Sequence, residues 1–175
     1  MQRTTRSIAA VAAAAVLALT GAACGSDDAS DDTTTTTEAA ADSGSATDGV
    51  LAEIEERGEP TLSATDPVTE LVVTDEVEGS GAEVQAGDTI TAHYVGVSAS
   101  SGELFDSSWQ RGAPATFPLD GVIQGWSEGL VGMKEGGRRT LIIPAEMAYG
   151  TNPPPGSGIA PGETLVFTVD LVSVD

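Results

Sequence analysis

Every aromatic side chain in this 175-residue chain lies between positions 94 and 167. The seven are Tyr94, Phe105, Trp109, Phe117, Trp126, Tyr149 and Phe167. Rings of this size bury roughly 150–250 Å² each and supply much of the apolar area a small core can gather. A chain that confines them to its second half can build a core only there. The first 60 residues offer none, so the sequence predicts one folded domain behind a long N-terminal segment with no core of its own.

That segment opens with Arg3 and Arg6, then an apolar run from Ile8 to Leu19, then "TGAAC" ending at Cys24, the single cysteine. A bilayer span needs about 20 apolar residues, which this run does not reach. It resembles a bacterial lipoprotein signal, in which cleavage leaves the cysteine as an acylated N-terminus. Gly21 departs from that pattern, since a leucine is usual three residues before the cysteine, and an ordinary secretory signal is the alternative. Lipidation would also account for a lone thiol in an exported chain. The expectation is therefore a signal peptide over residues 1–23, lipid attachment at Cys24, and an extracytoplasmic protein held at the cell membrane. More than one acyl chain is needed for lasting attachment.

The chain has 27 acidic residues against 7 Lys and Arg, a net charge of −20. Loss of Arg3 and Arg6 with the signal makes it more acidic still. Such a field repels nucleic acid and anionic headgroups, so nucleic acid is excluded as a partner and the membrane is reached only through the lipid. Residues 24–58 are acidic and rich in Thr, Ser, Ala and Gly, without an aromatic. They are expected to form a disordered linker, with at most a helical turn over Val50 to Glu56. As a flexible tether, such a segment spans roughly 30–35 Å. Its two Asp-Asp pairs lack the alternating oxygen ligands and the glycine of a calcium loop.

From residue 59 to 175 the texture changes. "TELVVTDEVEGSG" reads as a strand and a turn. "DTITAHYVGV" alternates, with Ile90, Ala92 and Tyr94 on one face. "PATFPL" is a short extended piece, and "RRTLIIPA" is a strand leaving a Gly-Gly turn. "TLVFTVDLVSV" presents Leu165, Phe167, Val169 and Leu171 to one side. Helical spacing appears once, at Ile123, Trp126, Leu130 and Met133. The fold class is therefore α+β: a curved antiparallel sheet of five to six strands over one short amphipathic helix.

One histidine and one cysteine leave no zinc site of the usual kinds. His93 lies within a predicted strand, far from any nucleophile elbow, and reads as a tethered strand residue. "GLVGMKEGG" follows a helix and lacks the Gly-Lys-Ser/Thr end of a phosphate loop. No metal and no cofactor is expected. What remains is non-covalent chemistry. In "SGELFDSSWQRG", which reads as a polar loop, Phe105 and Trp109 bracket Asp106. Tyr149 ends "PAEMAYG", and Ile159 sits in another loop. Apolar groups placed in loops on a rigid sheet point to a binding pocket.

At "AHYVG", "FDSS", "VIQGW", "EGLVGM", "AYG" and "TLVF" the chain resembles the FKBP family of peptidyl-prolyl cis-trans isomerases, the macrolide-binding immunophilins. The stretches follow the family's order through about 120 residues, essentially the whole folded part. The resemblance implies a helix lying across a curved sheet, no cofactor, and a pocket at Tyr94, Phe105, Asp106, Val122, Ile123, Trp126, Tyr149, Ile159 and Phe167. It implies Trp126 as the floor under the proline ring and Tyr94, Phe105 and Phe167 as walls. The backbone N–H of Ile123 and the Tyr149 hydroxyl would hold substrate carbonyls, and Asp106 would face the twisting imide. Trp109 matches no pocket position and is expected to pack behind the loop. The chain departs from the family at the rim. Ala115 stands where a second aromatic is common, the loop before Val122 is shorter, and "TNPPPGSG" replaces the usual loop after "AYG". The implied partners are proline-containing segments of unfolded exported proteins and macrolide ligands, met by a monomer. A non-catalytic proline-binding module or holdase is the alternative reading.

Overall fold

The computed structural model describes residues 43–175. The expected signal peptide, the lipid-attachment Cys24 and the first part of the expected linker lie outside the described residues.

Six strands form one antiparallel sheet: β1 (Val72–Val77), β2 (Thr89–Ser98), β3 (Leu104–Ser107), β4 (Ala115–Pro118), β5 (Arg138–Ile143) and β6 (Leu165–Val174). Their order is β1-β5-β6-β2-β3, and β4 also pairs with β2. The two ten-residue strands β2 and β6 pair from Ile90↔Val174 to Ser98↔Leu165 and form the spine. Bulges interrupt the ladders between Thr91 and Ala92 and between Gly96 and Val97, and such bulges bend a strand.

Among the described residues three α-helices accompany the sheet, α1 (Ser43–Arg57), α2 (Ser108–Arg111) and α3 (Gln124–Gly129), with short 3-10 turns at Leu119–Gly121 and Ala145–Met147. The single helix expected from the sequence is α3, and of the four residues in its expected stripe Trp126, Leu130 and Met133 are buried, while Ile123, the N-cap, is partly buried. The helix is shorter than the stripe. Leu130 is its C-cap, and Met133 follows in a turn whose N–H donates to the Leu130 carbonyl.

The face of β6 read as inward is core, with Leu165, Val169 and Leu171 fully buried. They meet Ile90, Leu130, Leu141 and Ile143 in the main apolar cluster. The opposite face is also covered. Val95, Val97, Ala99 and Val166 form a second cluster with Leu62, Trp109 and Ile142 packed on it.

Part of that cover overturns the linker expectation at its C-terminal end. α1 is helical over 43–57 and belongs to the same compact unit as the sheet. The helix is mostly polar, so its composition gives little reason for it to order. Its anchors are two. Ile54 is fully buried, and Arg57 Nη1 bonds Asp170 Oδ1 at 3.0 Å while its Nη2 reaches the Gly136 carbonyl at 3.1 Å. Asp170, on the outer face of β6, is fully buried and takes two further bonds from Arg138, at 2.8 and 2.9 Å. Arg138 also donates to the Gly58 carbonyl at 2.6 Å, which continues the lock into the chain after α1.

His93 is buried on this outer face. Its Nδ1 lies 3.0 Å from Ser108 Oγ, and its ring stacks on Trp109 with centroids 4.3 Å apart. Burial pushes its pKa below the ordinary 6.5, against the opposing pull of the Asp170 and Glu55 charges. A folded pKa below the unfolded one means that stability is complete above 6.5 and falls as pH drops below it, because the unfolded chain then binds the proton more readily. Melting curves between pH 7.5 and 5.5 should show the wild type losing stability by at most about 1.4 kcal/mol per pH unit from this group. His93→Gln should remove that slope; an unchanged slope would assign the loss to other groups.

Candidate active site

The stretch from Leu104 to Gly112 is not the loop that its polarity suggested. Leu104–Ser107 is an edge strand on β2, and Ser107 then caps α2, its hydroxyl accepting from the Gln110 N–H. Gly112, with a φ of 73°, ends the helix. The passage from strand to helix splits the two aromatic residues between opposite sides. Phe105 and Asp106 line the cavity beside the main cluster, whereas Trp109 goes behind it to His93.

That cavity has a volume of about 610 Å³. Tyr94 comes from β2, Phe105 and Asp106 from β3, Phe167 from β6, Val122 and Ile123 from the turn before α3, Trp126 from α3, and Tyr149 from the turn after β5. Eight of the nine residues expected at a pocket line it. Ile159 does not. It is half-buried and packs on the main cluster, in a loop whose ends are tied by the Gly162 N–H bond to the Gly150 carbonyl at 2.8 Å.

Most of these rings meet edge to face, the arrangement that aromatic quadrupoles favour. Trp126 is nearly perpendicular to Tyr94, at 5.4 Å, and to Phe167, at 5.3 Å. Phe105 meets Phe167 at 5.4 Å and 85°. Phe117 adds a further wall, 5.3 Å from Trp126 and 5.6 Å from Tyr94. Sequence reasoning left Phe117 out of the site. The signal was present: in the antiparallel pair Phe117 stands opposite Ile90, on the face that Ile90 shares with Tyr94. It supplies a ring two residues from Ala115, where the family's common second aromatic is missing.

One polar wall stands among these rings. Tyr94 Oη donates to Asp106 Oδ2 at 2.7 Å. Arg111, from the end of α2, donates to Asp106 Oδ1 and, at 2.6 Å, to Tyr94 Oη. Its guanidinium also lies over the Tyr94 ring, 5.3 Å from the centroid. Burial, then the hydrogen bond to Asp106, pushes the Tyr94 phenol up to about 12, so it stays a donor at any physiological pH. Arg111 is the second residue missed. Its only sequence signal is a cation a few residues beyond Asp106, and that says nothing about direction until α2 forms. Since Asp106 and Arg111 are each nearly half exposed, their pair serves to fix geometry more than to add stability.

Ile123, whose N–H lies at the uncapped start of α3, and Tyr149 both line the cavity, and no hydrogen bond from the Ile123 N–H or the Tyr149 hydroxyl to protein is found among the described residues. A helix start presents free N–H groups. Among the described residues no three His, Cys, Asp or Glu side chains gather as a metal site requires. The arrangement offers a ring-lined apolar slot with one oriented carboxylate in its wall and Ile123 and Tyr149 in its lining.

Comparison with known proteins places this geometry. The family model of FKBP-type peptidyl-prolyl cis-trans isomerases matches residues 81–172. The chain is 51% identical over 121 residues to an FK506-binding protein of Streptomyces anulatus, covering 68% of this chain and 98% of that one. It is 54% identical over 105 residues to a probable FK506-binding protein of Corynebacterium glutamicum, covering 59% and 86%. Among solved structures, AtFKBP13 superposes with a TM-score of 0.55 at 36% identity, over 65% of this chain and 98% of that one. FkpA from Escherichia coli gives 0.56 at 39% identity, over 73% of this chain and 58% of that one, so this chain spans little more than half of FkpA. The sheet, the ring-lined cavity and these matches agree, and the chain belongs to the FKBP-type peptidyl-prolyl cis-trans isomerase family.

Proposed function

We propose that this isomerase acts outside the cytoplasm, tethered to the membrane through lipid on Cys24, and speeds the folding of exported proteins as a monomer. The observation that carries the catalytic part of this reading is a ring-lined cavity whose lining includes Trp126, Ile123 and Tyr149; on this reading Trp126 is the floor and the Ile123 N–H and Tyr149 hydroxyl are the donors. The signal-like N-terminus and the acidic composition support the location.

Rotation about a peptide bond faces a barrier of about 18–20 kcal/mol, which amide resonance creates. Halfway round, resonance is lost and the carbonyl oxygen gives up much of its negative charge. A slot walled by Tyr94, Phe105, Phe117 and Phe167 disfavours the charge-separated planar imide and tolerates the twisted one. The site therefore binds the transition state more tightly than the ground state. Ile123 N–H and Tyr149 hold the flanking peptide carbonyls, and Asp106, fixed by Tyr94 and Arg111, faces the imide. No proton need move. Macrolides that mimic a twisted imide would compete for the same slot, with Ala115 and the long loop after Gly150 setting their fit.

The test is the cis-to-trans rate of a short X-Pro peptide with wild type and Asp106→Val. The wild type should accelerate the reaction, and Asp106→Val should lower kcat/KM about tenfold, equal to about 1.4 kcal/mol. A folded wild type without acceleration would make the chain a proline-binding module or holdase. Full activity in folded Asp106→Val would remove the carboxylate from the mechanism.

A further inference from the structure

The floor and one donor of the site ride on α3, a helix of six residues. A helix this short has no stability of its own, because nucleation outweighs its few hydrogen bonds. No side chain caps its start. Its height above the sheet is set where two glycines touch β5. A Cβ on Gly125 would run into Ile143, and one on Gly129 would lie 2.8 Å from Leu141. Close contact and the buried Trp126 and Leu130 set distance, and directional bonds are what sharpen register over the sheet.

Arg139 supplies such bonds. Its Nη1 donates to the Gly129 carbonyl at 2.8 Å and the Val131 carbonyl at 3.1 Å, at the C-terminal end of α3. Its Nε and Nη2 grip both oxygens of Asp75 on β1, at 2.6 and 3.0 Å. The residue is 8% exposed, and in the ladder it lies between Asp75 on β1 and Val169 on β6. A planar guanidinium bound on both edges holds its direction in a way a flexible ammonium does not. A cation here also complements the negative end of the helix.

We infer that Arg139 is a positioning residue for the isomerase site, which it never touches: it fixes the register of α3 over the sheet, and with it the Trp126 ring and the Ile123 N–H. The inference rests on the isomerase reading above. The Asp75 half of the contact holds Arg139 to the neighbouring strand, and the carbonyl half holds the helix, so the two can be separated.

Three variants of the full chain separate them: Arg139→Gln, Arg139→Lys and Asp75→Asn. Each is assayed on an X-Pro peptide, with ¹H–¹⁵N spectra reading the Ile123 amide and the Trp126 indole. Arg139→Gln should lower kcat/KM roughly tenfold and move both signals, the scale expected when reacting groups are misplaced by a fraction of an ångström. Arg139→Lys, which can still reach one carbonyl, should recover part of the activity and shift the signals less. Asp75→Asn should lower Tm while kcat/KM stays within about twofold, because Arg139 keeps its carbonyls. If folded Arg139→Gln retains wild-type rate and signals, or Asp75→Asn loses as much activity as Arg139→Gln, the inference is wrong. Should Arg139→Gln not fold, a wild-type rate and spectrum in Arg139→Lys would overturn it equally. An inactive wild type would refute the isomerase reading itself, and the two signals would still decide whether Arg139 sets the helix.

Discussion

Asp170→Ala is expected to cost the domain about 3–5 kcal/mol, the usual penalty for removing one partner of a buried ion pair. The carboxylate is fully buried and holds Arg138 and Arg57 together. Without it, two guanidinium groups remain in a site made for three charges, and Arg138 has almost no access to water. Against a total stability of roughly 5–15 kcal/mol, this is a large share. Thermal unfolding should begin about 10–20 °C lower for a domain of this size. Protection of α1 amides against hydrogen exchange should fall at the same time, since Arg57 loses its anchor. The penalty belongs to the orphaned charge more than to the pair. Arg138→Met combined with Asp170→Leu should therefore recover part of the loss, as buried pairs replaced by packed apolar groups often do, with Arg57 left on the Gly136 carbonyl. A shift below about 3 °C in Asp170→Ala would put the pair on a par with exposed ones.

The largest effect on activity without a charge change is expected at Gly96. It sits in the middle of β2, opposite Asp106 on β3 and Phe167 on β6. A Cβ there would come within 2.7 Å of the rings of both Phe105 and Phe167. Backbone strain plays no part, since the conformation is that of a strand. The obstacle is the two rings, which stand where a methyl group would go. In Gly96→Ala they must move into the slot, narrowing the space for a proline ring between Phe105, Phe167 and Trp126. We expect kcat/KM to fall at least roughly tenfold, with a loss of stability of about 1–3 kcal/mol, the usual cost of overpacking. Shortening one wall supplies the check. Gly96→Ala with Phe105→Leu should regain activity relative to Gly96→Ala if crowding is the cause. No regain would mean that the glycine acts through the β2 bulge beside it.

Much of the site is legible in the residue pattern alone. Ile90, Ala92 and Tyr94 alternate, Trp126, Leu130 and Met133 recur at helical spacing, and the motif order points to Asp106 and Tyr149. Phe117 is within reach of the same reasoning, because antiparallel pairing puts it on the Ile90 face. Arg111 is not, since its direction depends on Ser107 capping a turn that no periodicity announces. The family resemblance draws Ile159 to the pocket, and the side chain packs on the main cluster that holds Tyr94, Trp126 and Phe167 without joining the cavity lining.

Short windows of this chain settle most of the strands, though not β3, as well as which stripe of α3 is buried and which rings are available to line a slot. These are matters of period and side-chain size, written within a few neighbouring residues. Packing between distant segments settles the rest: that a mostly polar helix before the domain docks on the sheet, that Arg111 locks Tyr94 to Asp106, and that Arg139 caps the helix under the site. The Arg57–Asp170 bond joins residues 113 apart in the chain. Such contacts depend on two surfaces arriving at one place with matching charge. That is a property of the packed sheet, and no local window of sequence contains it.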